Sequence, residues 1–233
     1  MQSEVKKIVD LIKINKLISS KMTLSCVVQN IQFNITNRDI MGGVIQSWFE
    51  HWLTKNNVYW SPPYSTQSYP DFNLLNNQSL ELKTFYSRAS PAFDIGNFKS
   101  LIDDLIINAK RLNTDYIIFS YIDNDDKTFT LDKFWCKKIW QITTMPVQQK
   151  SAANYKLVSC QIKKGSIVNL RPFGFNKNPQ NSFSSRYVFV EQIKKTIEKF
   201  KHQLIKSETI YQSSEDWFQM VENRFKQQTN TNL

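Results

Sequence analysis

The clearest periodicity in the chain lies between Asn97 and Asn113. There Phe98, Leu101, Ile102, Leu105, Ile106, Ala109 and Leu112 fall on one stripe, which predicts a helix with a single buried face. Val5, Ile8, Leu11, Ile12 and Ile18 repeat at the same spacing and predict a packed first helix over residues 3–20. Residues 23–36 alternate as a strand or hairpin. A helix follows whose apolar face holds Ile40, Val44, Ile45, Trp48, Phe49 and Trp52, with Thr36 or Asn37 as its cap. Gly42 and Gly43 weaken that helix unless something packs closely against them.

Pro62, Pro63 and Pro70 stiffen the next loop. "DFNLL" and "SLELKTF" then read as two strands around an Asn-rich turn, and "DYIIFSYID" as a buried strand after the Phe98 helix. Helix, hairpin, helix and strand in this order make an α/β pattern. Beyond Asp123, "TFTLDKFWCKKIWQIT" and "YKLVSCQIKKGSIVNLRP" suggest strands and short elements. "YVFVEQIKKTIEKFKHQLI" returns to helix, and a capping box from Ser213 to Asp216 opens a last one before a frayed "QTNTNL" tail.

At 233 residues, 41% hydrophobic and 13% aromatic, the chain can bury a substantial core, and no linker or composition shift divides it. One domain over residues 1–233 with embellishments is expected. The net charge of +10 favours a polyanionic partner, nucleic acid or an acidic membrane surface. Cys26, Cys136 and Cys160 form no CxxC pair, so they read as reduced thiols rather than zinc ligands. No signal peptide or membrane span is visible, and a cytoplasmic protein is expected. His51 and His202 sit in no nucleophile motif, and no GxxxxGK[ST] points to a motor.

The chemistry concentrates in residues 70–83. Alternation puts Glu81 and Lys83 on one strand face and Leu80 and Leu82 on the other. Asp71 begins the preceding strand and could meet Glu81 across the hairpin. Two carboxylates on neighbouring strands can share Mg²⁺, a hard cation that takes oxygen ligands. A lysine beside them can orient and help deprotonate a water and offset phosphate charge. Glu50, awkwardly placed between Phe49 and Trp52, is a candidate third carboxylate. An ExK triplet alone is common and reads as an ordinary hydrated hairpin. The full arrangement is narrower: Pro70-Asp71, nine residues, then Glu81-Leu82-Lys83 in an apolar strand, with helices before and after.

This arrangement resembles the PD-(D/E)xK nuclease superfamily, over about residues 38–123, and within it a type II restriction endonuclease. The resemblance implies a restriction-endonuclease-like core, a central mixed β-sheet flanked by helices, with residues 124–233 completing the core and recognising DNA. It implies that Asp71 and Glu81 bind Mg²⁺, with Mn²⁺ as a substitute, that Glu50 completes the metal site, and that Lys83 assists the attacking water. It implies hydrolysis of double-stranded DNA at a short specific sequence by a homodimer. A cognate DNA methyltransferase belongs to the same system without being a stable partner, and no membrane is involved. A repair or junction-resolving nuclease, and a non-cleaving DNA-binding module, share the fold; the intact Asp-Glu-Lys set argues against the latter.

The polar loop "LRPFGFNKNPQNSFSSR" offers Arg171, Asn176, Lys177, Asn178, Gln180, Asn181 and Arg186 to DNA. Arg suits guanine, and Asn or Gln suits adenine, in the major groove. The hairpin register carries a further condition. A two-residue turn at Asn76-Asn77 would pair Asp71 with Leu82 and turn it away from Glu81. An odd-length loop or a bulge is therefore required. A three-residue loop at Asn76–Gln78 would set Asp71 opposite Lys83, with Glu81 as diagonal neighbour.

Overall fold

The computed structural model describes residues 1–64, 69–144 and 159–233. In chain order the elements are α1 (Ser3–Ile14), β1 (Lys21–Met22), β2 (Ser25–Val28), β3 (Ile31–Asn34), α2 (Met41–Lys55), β4 (Trp60–Ser61), β5 (Phe72–Leu74), β6 (Ser79–Tyr86), β7 (Gly96–Asn97) and α3 (Phe98–Ile107). They continue with β8 (Asp115–Asp123), β9 (Phe129–Lys138), α4 (Ile139–Ile142), β10 (Cys160–Lys163), β11 (Ser166–Leu170), α5 (Arg186–Lys199), α6 (Lys201–Leu204) and α7 (Ser214–Thr229). The chain forms two compact units. One comprises Met1–Pro91 and Thr114–Lys137, the other Ala92–Asn113 and Lys138–Leu233.

The first unit is built on a mixed six-stranded sheet in the order β1-β9-β8-β6-β5-β4. β6 and β8 run parallel, with Leu80 beside Asp115 and Leu82 beside Ile117. The pairs β4/β5, β5/β6 and β1/β9 are antiparallel. Alternation sends Leu80, Leu82, Ile117 and Phe119 to one face, where they share a core with Val5, Ile8 and Ile12 of α1 and Met41, Ile45 and Phe49 of α2. Phe49 packs edge-on against Phe72 at 5.6 Å and Phe119 at 5.9 Å, geometry that aromatic rings favour. α2 continues through its glycine pair. A Cβ on Gly42 would meet only Thr84 Oγ1, at an ordinary 3.7 Å, and one on Gly43 would meet nothing within 4 Å. The Asn37 side chain caps the short 3-10 turn that leads into α2.

In the second unit α7 packs on α3 and α5. Trp217, fully buried, donates its indole N–H to the Ile102 carbonyl at 2.9 Å. β10, β11 and β7 form a separate three-stranded antiparallel sheet. The strand expected from Tyr155 begins, within the described residues, at Cys160; residues 155–158 lie outside them. Four helix boundaries differ from the sequence expectation. α1 stops at Ile14 rather than near residue 20, because Asn15 leaves helical geometry and Lys16 turns left-handed at a φ of 50°. α3 stops at Ile107, because Asn108 leaves helical geometry and residues 109–113 tighten to a 3-10 turn. The helix expected through Ile205 breaks at Phe200 into α5 and α6. α7 runs to Thr229 and ends on a left-handed Asn230, so "QT" of the expected frayed tail is helical. The cap on α7 is as expected, Ser213 accepting from the Asp216 N–H at 3.0 Å.

Candidate active site

The β5–β6 hairpin turns through three residues, Leu75–Asn77. Its pairs are Phe72↔Leu80 and Asn73↔Ser79. Extending that register by one residue sets Asp71 directly opposite Glu81. The loop is odd in length, as the site requires, but lies one residue earlier than the expected Asn76–Gln78. Gln78 is instead held in the ladder, its carbonyl accepting from the Leu74 N–H at 2.8 Å. Its side chain also binds the start of α1, accepting from the Glu4 N–H at 2.9 Å and donating to Ser3 Oγ at 2.8 Å. These contacts span more than seventy residues of sequence, beyond any local turn rule. Asn76 and Asn77 take the left-handed conformation such a loop needs, with φ of 56° and 59°.

Three predicted residues come together. Lys83 Nζ lies 2.8 Å from Glu81 Oε2 and 3.6 Å from Asp71 Oδ2. The Leu82 N–H donates to Asp71 Oδ2 at 2.8 Å, and the Asp71 N–H to Glu81 Oε1 at 3.3 Å. Glu81 is only 5% exposed, although its strand face was open to being read as solvated. A buried carboxylate is tolerated when it is paired and hydrogen-bonded. Burial alone would lower the Lys83 pKa. The charges of Glu81 and then Asp71, with the hydrogen bond to Glu81, outweigh it and hold the ammonium above its ordinary range.

Glu50 does not join them. The buried residues of α2, Ile45, Phe49 and Trp52, pack in the core that Leu80 and Leu82 share, on the opposite sheet face from Glu81 and Lys83. Among the described residues no three His, Cys, Asp or Glu side chains form a metal-holding cluster, so the acids here are a pair. One neighbour was missed by sequence reasoning. Tyr116 is the ladder partner of Glu81, on the same face and fully buried. The alternation of "DYIIFSYID" places it there once the parallel register is known, which the sequence does not reveal.

In the second unit the candidate DNA-binding residues divide. Arg171 Nε pairs with Asp94 at 2.8 Å. Arg186 donates to Asn113 Oδ1 at 2.5 Å and to the Asn232 carbonyl at 2.9 Å, and its guanidinium lies 4.2 Å over the Phe225 ring. Burial pushes its pKa down. Asn176 is half-buried, while Lys177, Asn178, Gln180 and Asn181 stand exposed.

A family model described as NgoBV restriction endonuclease matches residues 2–233. The chain belongs to the NgoBV restriction endonuclease family. It is 31% identical over 189 residues to the type II restriction enzyme NlaIV of Neisseria lactamica, covering 78% of this chain and 75% of that one. It is 29% identical over 136 residues to the type II restriction enzyme NgoBV of Neisseria gonorrhoeae, covering 55% of this chain and 75% of that one. The solved NlaIV restriction endonuclease superposes with a TM-score of 0.81 at 27% identity, over 98% of this chain and 90% of that one. The expected type II restriction endonuclease and its mixed α/β fold are thus borne out. No helix among the described residues is long and apolar enough to cross a membrane.

Proposed function

We propose that this restriction endonuclease hydrolyses both strands of double-stranded DNA at a short specific sequence, with Mg²⁺ as cofactor and Mn²⁺ as a substitute. The observation that carries the proposal is the Asp71–Glu81–Lys83 cluster, two facing carboxylates balanced by a single ammonium. Hard oxygen donors from two carboxylates suit such a cation, which commonly keeps waters and substrate phosphate as its other ligands. Asp71 and Glu81 would hold the metal, and a bound cation would supply Lewis-acid stabilisation of charge developing on the phosphate.

The protein's own groups set the rest. Lys83, kept protonated by its two neighbours, orients the attacking water and offsets negative charge at phosphorus. Water attacks in line, so one P–O bond forms as the opposite one breaks. The Leu82 N–H fixes the Asp71 carboxylate and the Asp71 N–H steadies Glu81, so both acids are preorganised by backbone. We assign sequence recognition to the second unit, through the exposed Lys177, Asn178, Gln180 and Asn181. The enzyme works as a homodimer in the cytoplasm, where a separate methyltransferase protects the same sites. Incubating the purified chain with plasmid DNA and Mg²⁺ tests this. Discrete bands are expected; nicks confined to junctions or lesions would indicate a repair enzyme, and intact plasmid a binding module.

A further inference from the structure

β8 buries two tyrosines, Tyr116 at 1% and Tyr121 at 5% exposure. Strand alternation sends them to opposite sheet faces. Tyr121 joins the core that Ile117 and Phe119 share with α1 and α2, and its hydroxyl donates to the Arg38 carbonyl at 3.1 Å. Tyr116 lies on the face of the acid pair. The parallel ladder sets it beside Glu81, and sets Ile118 beside Lys83. The antiparallel register of the hairpin brings Asp71 to the other side of Glu81. Asp71, Glu81 and Tyr116 therefore form one row across the sheet, with Lys83 one row further along.

A buried tyrosine keeps its ring among apolar groups and needs polar company for its hydroxyl. β6 supplies that company, Glu81 in the same row and Lys83 in the next. Burial works against the charge on Lys83, and after Glu81 and Asp71 it is Tyr116 that favours it. The phenol oxygen is thus within electrostatic reach of the ammonium. A phenylalanine would fill the same space, and Ile118 shows that the wall next to it can be wholly apolar. The hydroxyl is the part that packing does not require.

The ammonium has three protons to place. Glu81 Oε2 takes one at 2.8 Å, and Asp71 Oδ2 lies at 3.6 Å. Both oxygens belong to the carboxylates assigned above to the cation, which competes for them. A phenol oxygen on β8 is a neutral acceptor outside that competition.

We infer that Tyr116 is a positioning residue for the reaction, its hydroxyl holding the Lys83 ammonium in place while Asp71 and Glu81 serve the metal. This rests on the nuclease reading given above and adds a fourth residue to it.

Single-turnover cleavage of plasmid DNA in saturating Mg²⁺, beside metal-free DNA binding and urea unfolding, tests it. Tyr116→Phe removes one oxygen and keeps the ring. It should cut at least ~10-fold more slowly, the effect of losing one hydrogen bond to a charged group, with DNA affinity and unfolding midpoint close to wild type. Tyr121→Phe makes the same change on the opposite face and should cut at the wild-type rate. In a Lys83→Ala background, Tyr116→Phe should slow the residual cleavage no further, because it acts through the lysine. Wild-type speed in Tyr116→Phe overturns the proposal. So does an equal loss in Tyr121→Phe, a loss that falls on DNA affinity instead of rate, or a further loss in the Lys83→Ala background. If Tyr116→Phe does not fold, proton NMR of the metal-free wild type decides. A nuclear Overhauser cross-peak between the Lys83 ε-methylene and the Tyr116 ring protons is expected, and its absence overturns the proposal. A wild type that cuts no DNA sinks the nuclease reading and this role with it. A wild type that cuts, with a Tyr116→Phe variant equally fast, sinks the role of Tyr116 alone.

Discussion

The first unit carries two hairpins built on the same local device and patterned in opposite ways. Each turns through residues held at positive φ, Gln29 and Asn30 in one and Asn76 and Asn77 in the other. The β5–β6 hairpin buries one carboxylate, Glu81, and half-buries Asp71 and Lys83 beside it. The β2–β3 ribbon exposes valine, isoleucine and phenylalanine. Either breaks the rule that apolar groups go inside and charges outside. Where a fold otherwise obeys local rules, such breaks mark function. The two carboxylates and the lysine are placed to meet a charged ligand, while the ribbon leaves its apolar face in water.

The largest expected effect breaks the comparison at its charged side. Lys83→Ala, Asp71→Asn or Glu81→Gln should each slow plasmid cleavage in Mg²⁺ by about 10³-fold or more, in the range seen when a transition-state charge partner is removed. Metal-free DNA binding should persist, because affinity comes from many phosphate contacts. Normal cutting by any of the three variants would make the buried charges structural.

Salt tests the basic charge next. DNA affinity should fall steeply as salt rises, with each phosphate contact adding about −0.9 to the log–log slope. Titrations from low to moderate salt check this. A flat DNA response would remove the basic charge from the binding surface.

Stability sharpens the contrast. Lys83→Met leaves Glu81 and Asp71 facing each other with their shared ammonium gone. Breaking a buried pair on one side costs about 3 kcal/mol. Urea melts without metal should show that loss, and Mg²⁺ should restore more stability to the variant than it adds to the wild type. Smaller again is the turn itself. Asn77→Val or Asn30→Val forces a β-branched residue into the left-handed region, at about 1–2 kcal/mol in either hairpin. Only the change at Asn77 should also slow cleavage; equal activity in both variants would mean the active-site turn needs no particular geometry.

Much of this could be read from the sequence because it is local. Alternation alone sorts Leu80 and Leu82 from Glu81 and Lys83, and the parity of the turn forces an odd loop if Asp71 is to reach Glu81. What could not be read depends on distant partners. Gln78 sets the loop position through Ser3 and Glu4. Arg171 and Arg186, chosen as base readers by residue type, are engaged by Asp94 and Asn113. Among the described residues no third acid such as Glu50 clusters with the pair, and no pattern in one strand says which face a helix will take. The amphipathic ribbon was in principle legible, since apolar residues at 26, 28, 31 and 33 share a face only around a two-residue turn. Its exposure was not.

The smallest effect concerns a second ion pair on the strands of the active site. At the exposed end of β8, Asp123 accepts from the Tyr86 hydroxyl at 2.6 Å and from Arg38 at 2.5 Å. The Tyr86 hydrogen bond first, and then that of Arg38, hold its carboxyl at about 2 against an ordinary 3.8. A depressed carboxylate pKa contributes stability that is present above the unfolded value and is lost as pH falls through the folded one. The contribution of Asp123 is therefore constant above pH 3.8 and disappears by about pH 2. Lys83 has the opposite sign. Its folded pKa is raised, so its contribution is complete below 10.5 and is lost only in strong alkali. Comparing wild type with Asp123→Asn by urea unfolding at several pH values should show a gap that narrows only below pH 3.8. It should be small, since exposed pairs contribute little. Lys83→Met should show a gap that alkali closes. A gap for Asp123→Asn that stayed constant through pH 2 would mean that Tyr86 and Arg38 do not hold that carboxylate. The buried pair would then be the only one of the two that the fold depends on.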